Sequence, residues 1–352
     1  MNNSTCLQPS LATTVALPVI YSCLFPAGTF GNILTAWIFS RKAPIGRTQH
    51  IYLANLVAAN LLLCSTMPFQ AAYFAGGYHW SYQSVKCRIA NHLGTLVMHV
   101  SMYVTITILC SIALSQYATL KKNTDTFSQA LHENFCGRVL QNFCRPKFAK
   151  YLCIVIWFIV LCITVIAIIY DVRASYRVQA LYHAQASDRM AKCYNEWVEA
   201  GKFTAMIAGS LATACFFVSF MTVLWSYYSL NRHLSKIQRN TCIREKHLIY
   251  STVKRNVLVI QMILTVCFLP YHIFRPIFYV LLTYDDCIRL KYLVEIKNFL
   301  TCLAAAKSSL DPVITLLLDK TFKESLYGLF TKSTPEHQKR DTDVFNKMRR
   351  NM

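Results

Sequence analysis

The chain has 352 residues, of which 55% are apolar or aromatic and only 15% charged, and its formal net charge is +20. A mean hydropathy of +0.34 is too high for a string of soluble domains, which carry roughly 25% charge, and the same figures exclude a disordered chain. A nucleic-acid partner is excluded by distribution, because the apolar residues run in long blocks with the basic residues between them, not on one face of a soluble domain.

A hydrocarbon core about 30 Å thick takes roughly 20 apolar residues as helix. Seven stretches meet this: 15–39, 51–76, 88–117, 151–170, 203–228, 256–282 and 292–318. Within one segment, only a helix satisfies its own backbone in lipid. The expected fold is therefore an all-α integral membrane protein, a seven-helix bundle over 15–318. An N-terminal segment, 1–14, precedes it and a tail, 319–352, follows.

Residues 1–14 contain two overlapping glycosylation sequons, at Asn2 and Asn3, and no basic residue. They lack a basic n-region and the first apolar block is too long for an h-region, so that block reads as a signal anchor. Arg41 and Lys42 follow span one directly. The positive-inside rule then puts the N-terminus outside and, after seven spans, the C-terminus inside. On this topology 24 of the 36 basic residues fall on the inner side and 9 in outer loops. The remaining three, Arg275, Lys297 and Lys307, lie within spans. Pro26, Pro68, Pro270, Pro276 and Pro312 are internal to spans, where each kinks its helix and frees a carbonyl. The loop over 121–148 has no metal-ligand spacing and reads as an ordinary loop. The basic 229–255 segment reads as topogenic and in contact with anionic lipid.

Most of the 15 cysteines lie in spans, where they serve as small apolar packing. Cys6, Cys87, Cys193 and Cys287 fall on the predicted outside, and an even set on the oxidising face points to two disulfides, with three pairings open. The chain shows no HExxH, GxSxG or glycine-rich phosphate loop, so neither an enzyme nor a cofactor or metal site is expected.

A set of motifs in order along the chain resembles the rhodopsin-like G-protein-coupled receptors. Gly31-Asn32 resembles the family's pair in span one. Asn55-Leu56 through Asn60-Leu61-Leu62 resembles NLxxxDLL, with Asn60 at the usual aspartate. Trp80, Cys87, Trp157 and Tyr227 fit the family's positions. Cys267-Phe268-Leu269-Pro270 resembles CWxP, and Asp311-Pro312-Val313-Ile314-Thr315 resembles N/DPxxY with Thr315 for tyrosine. Phe322-Lys323 opens what resembles the short amphipathic helix after span seven. Within that class the chain is similar to the purinergic-related branch, through His272 and Arg275 after Pro270, Lys297 fifteen residues before Pro312, and the Cys6 and Cys287 pair.

The resemblance implies a plasma-membrane receptor, with disulfides Cys87–Cys193 and Cys6–Cys287. It also implies a heterotrimeric G protein, and arrestin, as inner partners. Arg275, Lys297 and His272, floored by Tyr103 and Tyr271, would form a pocket for an anionic ligand, nucleotide-like or an acidic lipid. The competing expectation is that the cations are paired internally, for instance with Glu295, or snorkel to headgroups. Lys307 and Asp311, four residues apart on one helix face, would join Asn60 in the polar site that often binds sodium in this class, with Lys307 in the ion's place. Phe268 and Pro270 would be the span-six switch. Ser115-Gln116-Tyr117 replaces DRY, and Gln116 carries no charge. Together with Thr315, this points to weak, atypical or absent G-protein coupling at a face that also holds Tyr117 and Tyr227. A constitutive or non-coupling scaffold is the rival function. Gln116 stands 29 residues after Cys87, about four more than such receptors usually have. Span three must therefore either protrude or carry a bulge.

Overall fold

A computed structural model describes residues 7–42, 48–82, 84–122, 135–182, 192–194, 199, 203–240, 244–281 and 287–318. Helix α1 (Leu17–Lys42) follows a wide π-helical turn at Ala12–Ala16, and α2 spans Thr48–Gly76. Span three is continuous through α3 (Val85–Ile89), a π-helical stretch (Ala90–Leu96) and α4 (Val97–Lys122). A short helix α5 (Phe135–Asn142) leads into α6 (Pro146–Tyr182), and α7 covers Phe203–Asn240. Span six is α8 (Arg244–Ile263), a second π-helical stretch (Leu264–Phe268) and α9 (Leu269–Leu281), and span seven is α10 (Cys287–Leu318). Among the described residues the only β pairing outside these helices is a single bridge between Ser81 and Lys192.

Six of the long helices are apolar and long enough to cross a membrane. The seventh, α10, carries Glu295, Lys297, Lys307 and Asp311. The helices outrun the apolar blocks: α6 extends to Tyr182 and α7 to Asn240, because hydropathy marks only the part of a helix immersed in lipid. The loop expected over 121–148 contains α5, a correction. Cys144, in the turn after α5, packs with its thiol 3.5 Å from the Thr119 hydroxyl.

Each helix has an apolar outside as well as an apolar inside. Phe158 and Val218 are 65% and 68% exposed, as a lipid-facing surface requires. The inward face of α2 carries Leu56, Asn60, Leu63, Met67 and Gln70 at helical spacing. Spans one, two and seven form one packed group, and span three lies against spans two, four, five and six. Close approach of spans one and seven rests on glycine. A Cβ at Gly28 would sit 2.6 Å from the Cys64 sulfur and 2.7 Å from the Ser309 hydroxyl, and one at Gly31 would sit 2.7 Å from Pro312. Span four is tied to span two by the Trp157 indole N–H, which donates to the Asn55 side-chain oxygen at 3.0 Å.

One end of the bundle is clasped by the Cys87–Cys193 disulfide, with Cα atoms 5.7 Å apart. The Ser84 hydroxyl caps α3 by accepting from the Cys87 N–H. The Cys193 N–H donates to the Trp80 carbonyl at 2.8 Å, and the Lys192 ammonium lies 3.9 Å over the Tyr78 ring. The π-helical stretch at Ala90–Leu96 lies directly below this clasp. A π turn holds an extra residue, so part of the long interval from Cys87 to Gln116 is absorbed there, as a bulge.

Candidate ligand site and polar core

Below the disulfide, spans three and six bring together four of the expected ligand-site residues, Tyr103, Tyr271, His272 and Arg275. The backbone carbonyls fix their hydrogen-bonding sense. His272 Nδ1 lies 2.8 Å from the Phe268 carbonyl, which can only accept. That nitrogen therefore carries the proton, and the neutral ring's Nε2 is an acceptor. The Tyr103 hydroxyl, 3.2 Å away, donates to it, and in turn accepts from Arg275 Nη1 at 3.0 Å. His99 repeats the pattern one turn earlier on span three. Its Nδ1 donates to the Thr95 carbonyl at 2.7 Å, and Tyr271 donates to its Nε2 at 3.0 Å. Phe216 of span five stacks on the His272 ring at 3.9 Å, nearly parallel.

Arg275 is half-buried. Its Nε donates to the Tyr279 hydroxyl at 3.1 Å, and its guanidinium lies 5.5 Å from the centre of the Tyr271 ring. Gly209 of span five makes room for it, since a Cβ there would meet Arg275 Nη2 and the Tyr279 oxygen at 2.6 Å. Two N–H groups of the fork are engaged, both by neutral phenols, and among the described residues no carboxylate pairs with it.

Lys297 has a different environment. Its ammonium donates to the Glu199 carboxylate at 2.8 Å and to the Glu199 backbone carbonyl at 2.7 Å. The same carboxylate accepts from the Tyr73 hydroxyl at 2.5 Å and from the Asn298 amide at 3.4 Å. Glu199 is thus held by spans two and seven together. Burial, then the Glu199 and Glu295 carboxylates, hold the nearby Tyr194 phenol well above its usual value, so it remains protonated. The expected alternative partner, Glu295, does not pair with Lys297. Two residues apart on one helix, the two side chains do not face each other, and one Glu295 oxygen is buried without a hydrogen-bond partner.

Deeper in the bundle, Lys307 is fully buried and forms an ion pair with Asp311. Its ammonium also donates to Asn60 Oδ1 at 3.3 Å. Asn60 Nδ2 donates to Asp311 Oδ2 at 2.7 Å and to Asn32 Oδ1 at 3.1 Å. Asn32 Nδ2 donates at 2.8 Å to both the Gly28 and the Ser308 carbonyls. This explains an amide at position 60. Its oxygen faces the cation and its nitrogen the carboxylate, and the cluster stays neutral, where an aspartate would leave it one charge negative. Thr105 is buried, but its hydroxyl has no partner. Phe268 is fully buried at the end of the second π-helical stretch, two residues before Pro270, whose missing N–H interrupts the ladder there.

At the end of the bundle away from the disulfide, Gln116 is 8% exposed and its side-chain oxygen has no hydrogen-bond partner, like the hydroxyl of Ser115. Tyr117 packs edge-on against Trp225 at 5.4 Å, and Tyr227 packs half-buried against the core. The expected glycan sites Asn2 and Asn3, Cys6, and the helix after span seven lie outside the described residues, as do the side chains of Cys287 and Thr315. Among the described residues no three His, Cys, Asp or Glu side chains gather as metal ligands.

The sequence pattern of the 7 transmembrane receptor (rhodopsin family) matches residues 31–314. The chain is 51% identical over 338 residues to the human Probable G-protein coupled receptor 82, covering 96% of this chain and 98% of that protein. It is 22% identical over 329 residues to the chimpanzee Probable G-protein coupled receptor 34, covering 93% of this chain and 79% of that protein. It is 23% identical over 330 residues to a bovine purinoceptor, covering 92% of this chain and 87% of that protein. These matches, with the membrane-spanning helical bundle and the order of its motifs, are those of a receptor family and not of an enzyme family, and the chain belongs to the rhodopsin family of seven-transmembrane receptors.

Proposed function

We propose that this receptor stands in the plasma membrane with the disulfide end outside, and that it recognises an anionic small molecule at Arg275. The observation that carries this reading is the state of Arg275: a half-buried guanidinium held by two phenols, with part of its fork free and no carboxylate partner among the described residues. A cation within a span is unfavourable unless it faces water or a partner, and the arginine fork suits carboxylate or phosphate. Tyr103, Tyr271 and His272 set the guanidinium's position. On this reading Lys307 supplies the cation of the polar core in place of a bound sodium ion. A panel of acidic ligands on cells carrying a coupling biosensor tests the proposal. A response abolished by Arg275→Ala, with surface expression retained, supports it, and a response unaffected by that change refutes it.

The inner partner is a heterotrimeric G protein with weak or atypical coupling, arrestin being a second candidate for the same face. The support is Gln116, a neutral amide where the family's motif has arginine, with its oxygen unpartnered. Gln116→Arg is expected to raise G-protein activation at equal surface expression. Equal, robust activity in both forms would refute weak coupling.

A further inference from the structure

Three basic residues lie within the spans, and two of them already hold carboxylates: Lys297 pairs with Glu199, and Lys307 with Asp311. Arg275 is the third, and its hydrogen-bond partners are phenols, which cancel no charge. Glu295 of span seven adds a further carboxylate near Glu199, so Arg275 is the one cation within the spans that has no acidic partner among the described residues. Building on the reading of Arg275 as the anion anchor, we propose that the pocket takes an organic monoanion, a carboxylate carried on an apolar body, and that Glu199 is the residue that rejects ligands with a second anionic group.

Glu199 acts by already occupying the place a second anionic group would need. Both of its oxygens are engaged, one by Tyr73 and the other by Lys297 and Asn298, and the residue is 7% exposed. An incoming phosphate that took Lys297 would strand this carboxylate, buried and without its counter-charge. Removing one partner of a buried pair is far more unfavourable than the pair itself is favourable. Without Lys297, a diphosphate brings two or more negative charges to one cation. A carboxylate brings one, in the planar geometry the guanidinium fork matches. The surroundings of the cation suit an apolar body, because the rings of Tyr271 and Tyr279 flank the guanidinium and the Phe278 ring lies beside Lys297.

The test uses the full chain, purified into lipid nanodiscs, and two probes that share a tail: dodecanoate and dodecyl diphosphate. Binding is read as probe-dependent thermal stabilisation. The unmodified receptor is expected to bind dodecanoate about tenfold more tightly than the diphosphate, and Arg275→Gln to lose both probes. Glu199→Gln keeps the shape and frees the Lys297 charge, and should close or reverse the gap by about tenfold. Glu199→Asp, which keeps the charge on a shorter arm, should move the ratio the same way by about threefold. A preference for the diphosphate in the unmodified receptor, or a ratio unchanged in both Glu199 variants, overturns the monoanion assignment and leaves the Arg275 anchor standing. Absence of binding by both probes, or equal binding with and without Arg275, overturns the anchor itself.

Discussion

In the middle of the bundle, Asn32, Asn60, Lys307 and Asp311 satisfy one another across spans one, two and seven. At the end away from the disulfide, Gln116 and Ser115 are as deeply buried, yet the Gln116 oxygen and the Ser115 hydroxyl have no partner. Both regions are polar groups inside an apolar bundle, and the difference lies in completion. A closed network costs little to keep and a great deal to open, because every group in it depends on the others. An unpartnered acceptor is a standing cost that the fold tolerates. The closed region is accordingly a strut of the fold, and the incomplete one contributes no such closure.

The largest expected effect tests the closed side. Asp311→Asn leaves the Lys307 ammonium buried without a counter-charge and should cost about 3–5 kcal/mol, seen as a steep loss of thermal stability in detergent. The paired replacement of Lys307 by Met and Asp311 by Leu should recover most of that loss. If Asp311→Asn alone is harmless, the bundle does not depend on the cluster's closure. A smaller effect is expected from Gly28→Val, whose side chain must push Cys64 and Ser309 aside where spans one and seven meet. Overpacking of this kind costs about 1–3 kcal/mol, and an unchanged melting temperature would mean the two spans part easily beside the cluster. The smallest effect belongs to the incomplete side. Gln116→Leu removes an acceptor that has no partner, so stability should hold within about 0.5 kcal/mol or rise. A fall as large as that of Asp311→Asn would erase the contrast.

Much of the fold was legible in the sequence, for a plain reason. Twenty apolar residues in a row have few alternatives to a spanning helix, so the positions of all seven spans followed from block length. Their ends did not, because polar residues continue α6 and α7 beyond the apolar blocks without any hydropathy signal. The two π-helical stretches left no trace in composition either. At the site, the same-face spacing of Lys307 and Asp311 was visible as four residues. His99 was missed although it stands four before Tyr103, as Tyr271 stands four before Arg275. Those two matched pairs on facing helices were the available signal. Glu199 was out of reach. It lies 98 residues from Lys297, and only the folding of the chain before span five brings the two together.

The wide stretch at Ala90–Leu96 acts as a phase shifter. One residue added within a helix turns everything beyond it by about 100°. Cys87 therefore meets Cys193 from a side that an unbroken α-helix would have aimed elsewhere. The rotational setting of Tyr103 and Gln116 lower down is fixed by packing with the other spans. Along one helix, the disulfide clasp and the facing of the far end are dialled separately, so a one-residue deletion between 90 and 96 would leave the far half in place and swing Cys87 out of register with Cys193.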